Sequence, residues 1–147
     1  MTLLQNGSLG RPAVLPLLPG LRIYAENLSP EARSDLFLES WFHQGSLEFP
    51  PGLVARLERL AAQCPLVIDV VLDRPAVLTP LLGIAGAVVA SYGTSDAALL
   101  DALTGTIAPQ GRLPFDLPRS MEQVRQHGED VPGYDDPLFA FGHGLRL

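Results

Sequence analysis

The sequence predicts an α/β domain in which a small parallel or mixed sheet is flanked by helices, an α/β sandwich. Residues 66–72 and 85–91 are apolar at nearly every position and rich in valine, which is typical of strands covered on both faces. A helical pattern precedes the first of these segments and another follows the second. Strand and helix alternating at this spacing indicate a parallel sheet with helices packed on it. At 147 residues, the chain is expected to form one domain, 1–147.

An extended segment, a helix and a loop are predicted, in that order, for the first third of the chain. Residues 1–30 are rich in proline, glycine and leucine and show no helical period, so we expect an extended lead-in segment that ends in a strand at 21–25. A helix is expected over 30–38, with Ser29 at its N-cap. The aromatic and polar run 39–49 follows, and its composition is typical of a surface loop or a binding site.

The pattern becomes regular after Gly52. Apolar residues recur at the spacing of an amphipathic helix, namely at Leu53, Leu57, Leu60 and Ala61. Pro65 ends this helix before the first buried strand. A short helix is expected over 75–82, between the two strands.

Turn residues dominate the last third of the chain. Thr94 or Ser95 is expected to cap a helix that stops at Gly105. A short edge strand is expected over 113–117, because it lies between prolines. Residues 121–147 are expected to form a loop-rich tail, with two phenylalanines anchoring it to the core, Phe139 and Phe141.

Composition excludes several classes of function. The net charge of −6 and the isoelectric point near 4.9 argue against a nucleic-acid surface, which needs a basic stripe. Cys64 is the lone cysteine, so neither a disulfide nor a cysteine metal site is expected within one chain. No apolar run is long enough to span a bilayer, and residues 1–20 lack the pattern of a signal peptide. The expectation is therefore a cytoplasmic protein with no membrane contact.

Five short motifs occur in order along the second half of the chain. They are Asp73-Arg-Pro-Ala-Val77, Tyr92-Gly-Thr-Ser-Asp96, Gly111-Arg-Leu-Pro-Phe115, Leu117-Pro-Arg-Ser120 and Phe141-Gly-His-Gly-Leu145. Together they resemble the C-terminal domain of glycoside hydrolase family 3, the β-glucosidase type. The early Leu3-Leu-Gln-Asn6 and the run His43-Gln-Gly-Ser-Leu47 are similar to further segments of that family.

The resemblance implies a carbohydrate-active domain related to enzymes that hydrolyse terminal β-glycosidic bonds. Family members normally carry a barrel before this domain, and the nucleophilic aspartate lies in it. A barrel needs about 250 residues, so the 147 residues alone are expected to be inactive, and a barrel on another chain is a possible partner. The alternative is a catalytically silent structural or oligomerisation module left from a truncated enzyme.

The segment 26–39 is short compared with the family, which implies that one strand–helix unit is missing. The sheet is then smaller than usual, and one of its edges is left open. An open edge needs a cover, and a second copy of the chain in a homodimer would supply one.

The candidate site residues follow from the same resemblance. Retaining glycosidases use two carboxyl groups roughly 5 Å apart, and the second often comes from a loop of this domain. Glu39, beside Trp41 and His43, is the candidate acid/base; the alternative is an ordinary surface glutamate. Trp41 and His43 are candidate sugar contacts. Asp73 and Arg74, at the end of the first buried strand, would contact sugar hydroxyls or form a salt bridge that fixes their loop.

Other chemistries find little support. Glu48 is a weaker acid/base candidate than Glu39. The three histidines, His43, His127 and His143, are too scattered to indicate a metal site. Neither strand is followed by the glycine pattern of a dinucleotide site, so no cofactor is expected. Gly93-Thr-Ser95 lies at a predicted helix start, where free N–H groups could bind an anion, but helix capping alone is the expected explanation.

Overall fold

The computed structural model describes residues 2–6, 21–24, 46–72 and 74–144. Their elements, in chain order, are β1 (Thr2–Asn6), β2 (Leu21–Tyr24), α1 (Pro51–Ala61), β3 (Val67–Val71), α2 (Thr79–Leu82), β4 (Ala87–Ser91), α3 (Asp96–Leu103) and α4 (Met121–Gln126).

The strands in the described part of the chain form one mixed sheet in the order β1-β4-β3-β2. β2, β3 and β4 run parallel, and β1 pairs antiparallel with β4. The predicted α/β fold with a small mixed sheet is therefore confirmed. β1 lies within the segment that the sequence indicated only as extended, and its pairing closes one side of the parallel strands.

β3 and β4 form the centre of the sheet because both of their faces are covered. On one face, Ile68 and Val88 pack with Leu57 of α1, and all three are fully buried. They belong to the larger apolar cluster, whose buried members are Phe49, Leu57, Leu66, Ile68, Val70, Leu72, Ala76, Leu78, Leu81, Ala85, Val88, Ala90, Leu113 and Leu117. On the other face, Val67 and Val89 pack against α3. Covered faces explain why these two strands are apolar at nearly every position.

Two predicted elements differ from the structure. The helix expected over 75–82 begins only at Thr79. Val77, just before it, is bonded to another segment, since its N–H donates to the carbonyl of Leu47 at 2.9 Å. The segment 113–117 is no regular strand; Leu117 forms an isolated bridge with Phe139. Pro114, inside this segment, and Pro118, directly after it, lack the N–H groups that would extend the ladder.

Helix α4 lies at the start of the predicted loop-rich tail. The Ser120 hydroxyl accepts from the Gln123 N–H at 3.1 Å, and the Gln123 side chain accepts from the Arg119 N–H at 2.8 Å. A serine followed three positions later by glutamine is a helix-capping signal, and this signal could have predicted α4 from the sequence. With six residues, α4 is too short for a hydrophobic periodicity to be recognised in the sequence.

The two tail phenylalanines have opposite environments. Phe139 packs against the larger apolar cluster, as predicted. The prediction for Phe141 is wrong, since this side chain is 72% exposed. Its backbone N–H donates to the Asp116 carboxylate, and the next residue, Gly142, has a positive φ of 77°. This turn directs the Phe141 ring away from the core.

Asp116 joins two distant parts of the tail. One carboxylate oxygen accepts from the Tyr134 N–H at 2.9 Å, and the other accepts from the Phe141 N–H. Gly133 has φ +78°, and a Cβ at this position would lie 3.2 Å from the same carboxylate. Glycine therefore supplies both the backbone conformation and the space for this contact.

The segments 111–118 and 138–144 are joined by hydrogen bonds at several points. The Leu113 N–H donates to the His143 carbonyl at 2.9 Å, and the Leu117 N–H donates to the Phe139 carbonyl at 2.9 Å. Arg112 adds a 2.6 Å bond from its side chain to the Gly144 carbonyl. Two of the sequence motifs thus hold each other in place.

We expect Asp116→Ala to lower the free energy of unfolding by about 2 kcal/mol, because two backbone N–H groups lose a charged acceptor. Urea unfolding followed by circular dichroism measures this. Asp135→Ala is the matched control, since Asp135 is exposed and should change stability by less than about 0.5 kcal/mol. Equal losses in the two variants would contradict the role of Asp116.

Tyr134 makes the tail sensitive to alkaline pH. Its pKa is raised above the ordinary value of 10.0, first by burial and second by the negative charge of Asp116. The folded protein therefore favours the neutral phenol more than the unfolded chain does. This stabilisation is fully present below pH 10 and is lost as the pH rises through the raised pKa.

We expect the wild-type chain to lose stability above pH 10 more steeply than Tyr134→Phe, which has no phenol to ionise. Urea unfolding at a series of pH values from 8 upward, in steps of about half a unit, measures the two slopes. Identical slopes would show that Tyr134 titrates alike in the folded and unfolded chains.

Candidate functional site

The loops that follow β3 and β4 leave the sheet at one edge. Val71 is in register with Ser91, and the Leu72 N–H donates 2.8 Å to the Ser91 carbonyl. Arg74 lies two residues after Leu72, and Tyr92 directly follows Ser91. The carboxyl ends of the two parallel strands thus bring the two loops together, where open α/β sheets bind ligands.

Arg74 is held inward at this edge. Its side chain is buried, with 9% exposure, and a guanidinium nitrogen donates 3.2 Å to the Ser46 carbonyl. This bond fixes the loop through a backbone carbonyl, whereas the structural alternative expected from the sequence was a salt bridge. Contact between Arg74 and a sugar stays a prediction.

The segment 46–49 is anchored from two further directions. The Leu47 carbonyl accepts from the Val77 N–H at 2.9 Å, and the Leu47 N–H donates 3.2 Å to the Met121 sulfur. Phe49 is buried in the larger apolar cluster. The segment that directly follows the His43-Gln-Gly run in sequence is therefore fixed to both the β3–α2 loop and helix α4.

Sequence reasoning missed Met121 as a partner of this segment. A single methionine at a helix start carries no periodic or motif signal, and its thioether is a weak acceptor. The contact joins residues 74 positions apart, so only the tertiary structure reveals it.

The β4 side of the edge presents an aromatic ring. Tyr92 is 40% exposed, and its ring meets Phe115 edge-on, with centroids 6.4 Å apart and planes 80° apart. Gly93 follows with φ +82°. Ser95, not Thr94, caps α3, since its hydroxyl accepts from the Ala98 N–H at 3.3 Å. Capping thus accounts for the serine of the Gly93-Thr-Ser run.

Two polar side chains are buried in the central strands. Asp69 of β3 is 3% exposed, and Ser91 at the end of β4 is fully buried. Within the described residues, the Ser91 hydroxyl oxygen has no hydrogen-bond partner. The sequence did not single out these positions as functional, because both lie inside runs that look uniformly apolar.

Four of the predicted site residues, Glu39, Trp41, His43 and Asp73, lie outside the described residues, and their roles stay predictions. The predicted helix over 30–38 and the shortened segment 26–39 also lie outside them.

The described residues bear on two of the excluded classes and on the weaker acid/base candidate. Among residues 46–72 and 74–144, no group of three or more His, Cys, Asp or Glu side chains is arranged to hold a metal ion. The helices in the described part are also too short or too polar to cross a membrane.

Glu48, the weaker acid/base candidate, has an exposed side chain, and its backbone N–H donates to the Ser46 hydroxyl at 3.1 Å.

Comparison with known proteins identifies the family of this chain. The profile of the glycosyl hydrolase family 3 C-terminal domain matches residues 26–147. The chain belongs to this family. The resemblance inferred from the ordered motifs is therefore confirmed over most of the sequence.

The relatives of this family 3 domain are much longer proteins. Over 121 residues it is 44% identical to β-glucosidase C of Emericella nidulans, covering 82% of this chain and 19% of the relative. It is 41% identical over 120 residues to a periplasmic β-glucosidase/β-xylosidase of Dickeya chrysanthemi, covering 78% of this chain and 18% of the relative. The chain thus spans about a fifth of the length of these relatives.

A solved structure supports the fold independently. The β-glucosidase of Listeria innocua in complex with glucose superposes with a TM-score of 0.64 at 15% identity, covering 99% of this chain and 32% of that one. At this identity the similarity shows a shared α/β fold.

We expect Arg74→Ala to lower the free energy of unfolding by about 2 kcal/mol, because the buried bond to the Ser46 carbonyl and the packing of the side-chain stem are both lost. Thermal and urea unfolding measure the change. Arg56→Ala removes an exposed arginine of α1 and should be nearly neutral. If both variants are equally stable, the Arg74–Ser46 contact does not fix the loop.

Proposed function

We propose that this domain supplies sugar-contacting residues to a β-glucosidase-type hydrolase that cleaves terminal β-glycosidic bonds. The observation that supports this most directly is the 44% identity with a β-glucosidase over 82% of the chain. The meeting of two loops at the carboxyl ends of β3 and β4 supports a ligand site on this edge. The proposal takes residues 1–147 as one domain.

The chemistry needs two carboxyl groups on either side of the scissile bond. We assign the acid/base role to Glu39 and sugar contacts to Trp41, His43 and Asp73. Arg74 completes this group, either by touching sugar hydroxyls or by fixing the loop that carries the other residues. Support for these roles comes from the family resemblance, together with the anchoring of residues 46–49 immediately after the Trp41–His43 run.

The nucleophile of this reaction lies outside the 147 residues in our proposal. The family resemblance assigns it to a barrel of about 250 residues, which requires more chain than is present here. These residues alone then bind sugar without cleaving it, and a barrel on the same or another polypeptide completes the active site.

We expect no measurable hydrolysis of aryl β-glucosides by the purified 147-residue chain, and we expect heat on calorimetric titration with glucose or xylose. The first result follows from the missing nucleophile and the second from a surviving sugar subsite. Turnover that Glu39→Gln abolishes in a folded protein would contradict the inactivity of the chain alone.

The same titration separates the proposal from its alternative. A silent structural module gives no heat with glucose, xylose or N-acetylglucosamine at millimolar concentration, and light scattering then tests whether it assembles into the predicted homodimer. The cytoplasmic location also stays a prediction; the name of the Dickeya relative places that protein in the periplasm.

A further inference from the structure

We propose that Tyr92 provides the aromatic surface on which a neutral pyranose ring stacks at this site. The inference rests on the proposed function and adds a specific contact to it. Tyr92 directly follows β4, whose last residue is paired with β3 at the carboxyl edge. The ring is therefore located where ligands of parallel sheets bind.

The exposure of Tyr92 is unusual for its position. Ser91, one residue earlier, is fully buried, whereas the Tyr92 side chain is 40% exposed. A large aromatic ring in water at the end of a buried strand leaves apolar surface available for a ligand. The C–H face of a pyranose is apolar, while its rim of hydroxyls is polar, so it suits a ring that is partly open to solvent.

Phe115 restricts the orientation of the Tyr92 ring. The two rings meet edge-on at 6.4 Å, which is a favourable aromatic geometry. Phe115 itself packs against the larger apolar cluster. Because the supporting ring is held by the core, Tyr92 loses little freedom when a ligand stacks on it, which favours binding.

The backbone directly after the ring is uncrowded in the described part of the chain. A Cβ built on Gly93 meets no atom of the non-neighbouring described residues within 4 Å, so a ligand can approach the backbone there. Thr94 is half-buried and offers a hydroxyl that the helix cap does not use, and Asp96 adds a negative charge at the start of α3. A hydroxyl-rich ligand suits this environment, because the Thr94 hydroxyl can both donate and accept hydrogen bonds.

Among the described residues, the other exposed apolar side chains lack this combination. Leu100 and Ile107, which are 58% and 57% exposed, are aliphatic and lie on α3 and after it. Phe141 is aromatic and 72% exposed, but it lies at the turn of the C-terminal tail. Phe141 therefore provides a matched control for the effect of an exposed aromatic ring as such.

The test is calorimetric titration of the full chain with glucose. We expect Tyr92→Ala to weaken glucose binding about tenfold, because the stacking surface is lost. Tyr92→Phe should stay within about threefold of the wild type, because the ring remains. Phe141→Ala should bind as the wild type does. Unchanged affinity in Tyr92→Ala, or an equal loss in Phe141→Ala, overturns the inference.

A measurement on the unsubstituted protein guards against altered folding in Tyr92→Ala. In NMR spectra, glucose should shift the ring signals of Tyr92, identified by their disappearance in Tyr92→Phe, and leave those of Tyr134 in place. Glucose binding without a shift at Tyr92 overturns this inference alone. An absence of any glucose binding counts against both this inference and the proposed function.

Discussion

The parallel pairing of β3 with β4 determines where this domain places its loops. The two strands are in register from Val67 with Ala87 to Val71 with Ser91, and both of their faces are covered by apolar side chains. Slippage by one residue would exchange the two faces of a strand. The side chains of each face pack in a different apolar cluster, and this specific packing fixes the register. The loops that carry Arg74 and Tyr92 are consequently held at one edge, and the proposed sugar site depends on that placement.

The motifs that identify the family have an architectural role in the described part of the chain. Arg112 and Asp116 lie in the glycine- and proline-rich run after α3, and both bind backbone groups of the tail. Leu113 and Leu117 of the same run are almost fully buried in the larger cluster. The most recognisable residues of the domain thus hold the tail segment 134–144 in place.

The segment 46–49 connects this architecture with the candidate site. Its carbonyl groups accept from the Arg74 side chain and the Val77 N–H, and its Leu47 N–H donates to the Met121 sulfur of helix α4. Bonds from several elements fix a loop better than a single contact does, because each bond restricts a different direction of movement. A domain that contributes to an active site completed by other residues needs this kind of fixed loop, since small displacements of catalytic groups are costly.

The sequence by itself determined the fold class, the strands β2, β3 and β4, the helices α1 and α3, and the family. These features depend on local signals: continuous apolar runs, a helical period, and the turn residues Pro65, Ser95 and Gly105. Tertiary structure alone decided that Phe141 is exposed while Phe139 packs against the core. It also decided that the Val77 N–H bonds to Leu47 and that the Met121 sulfur accepts from the Leu47 N–H. Each of these depends on a partner many positions away, and a contact between distant residues leaves no periodic pattern in the chain.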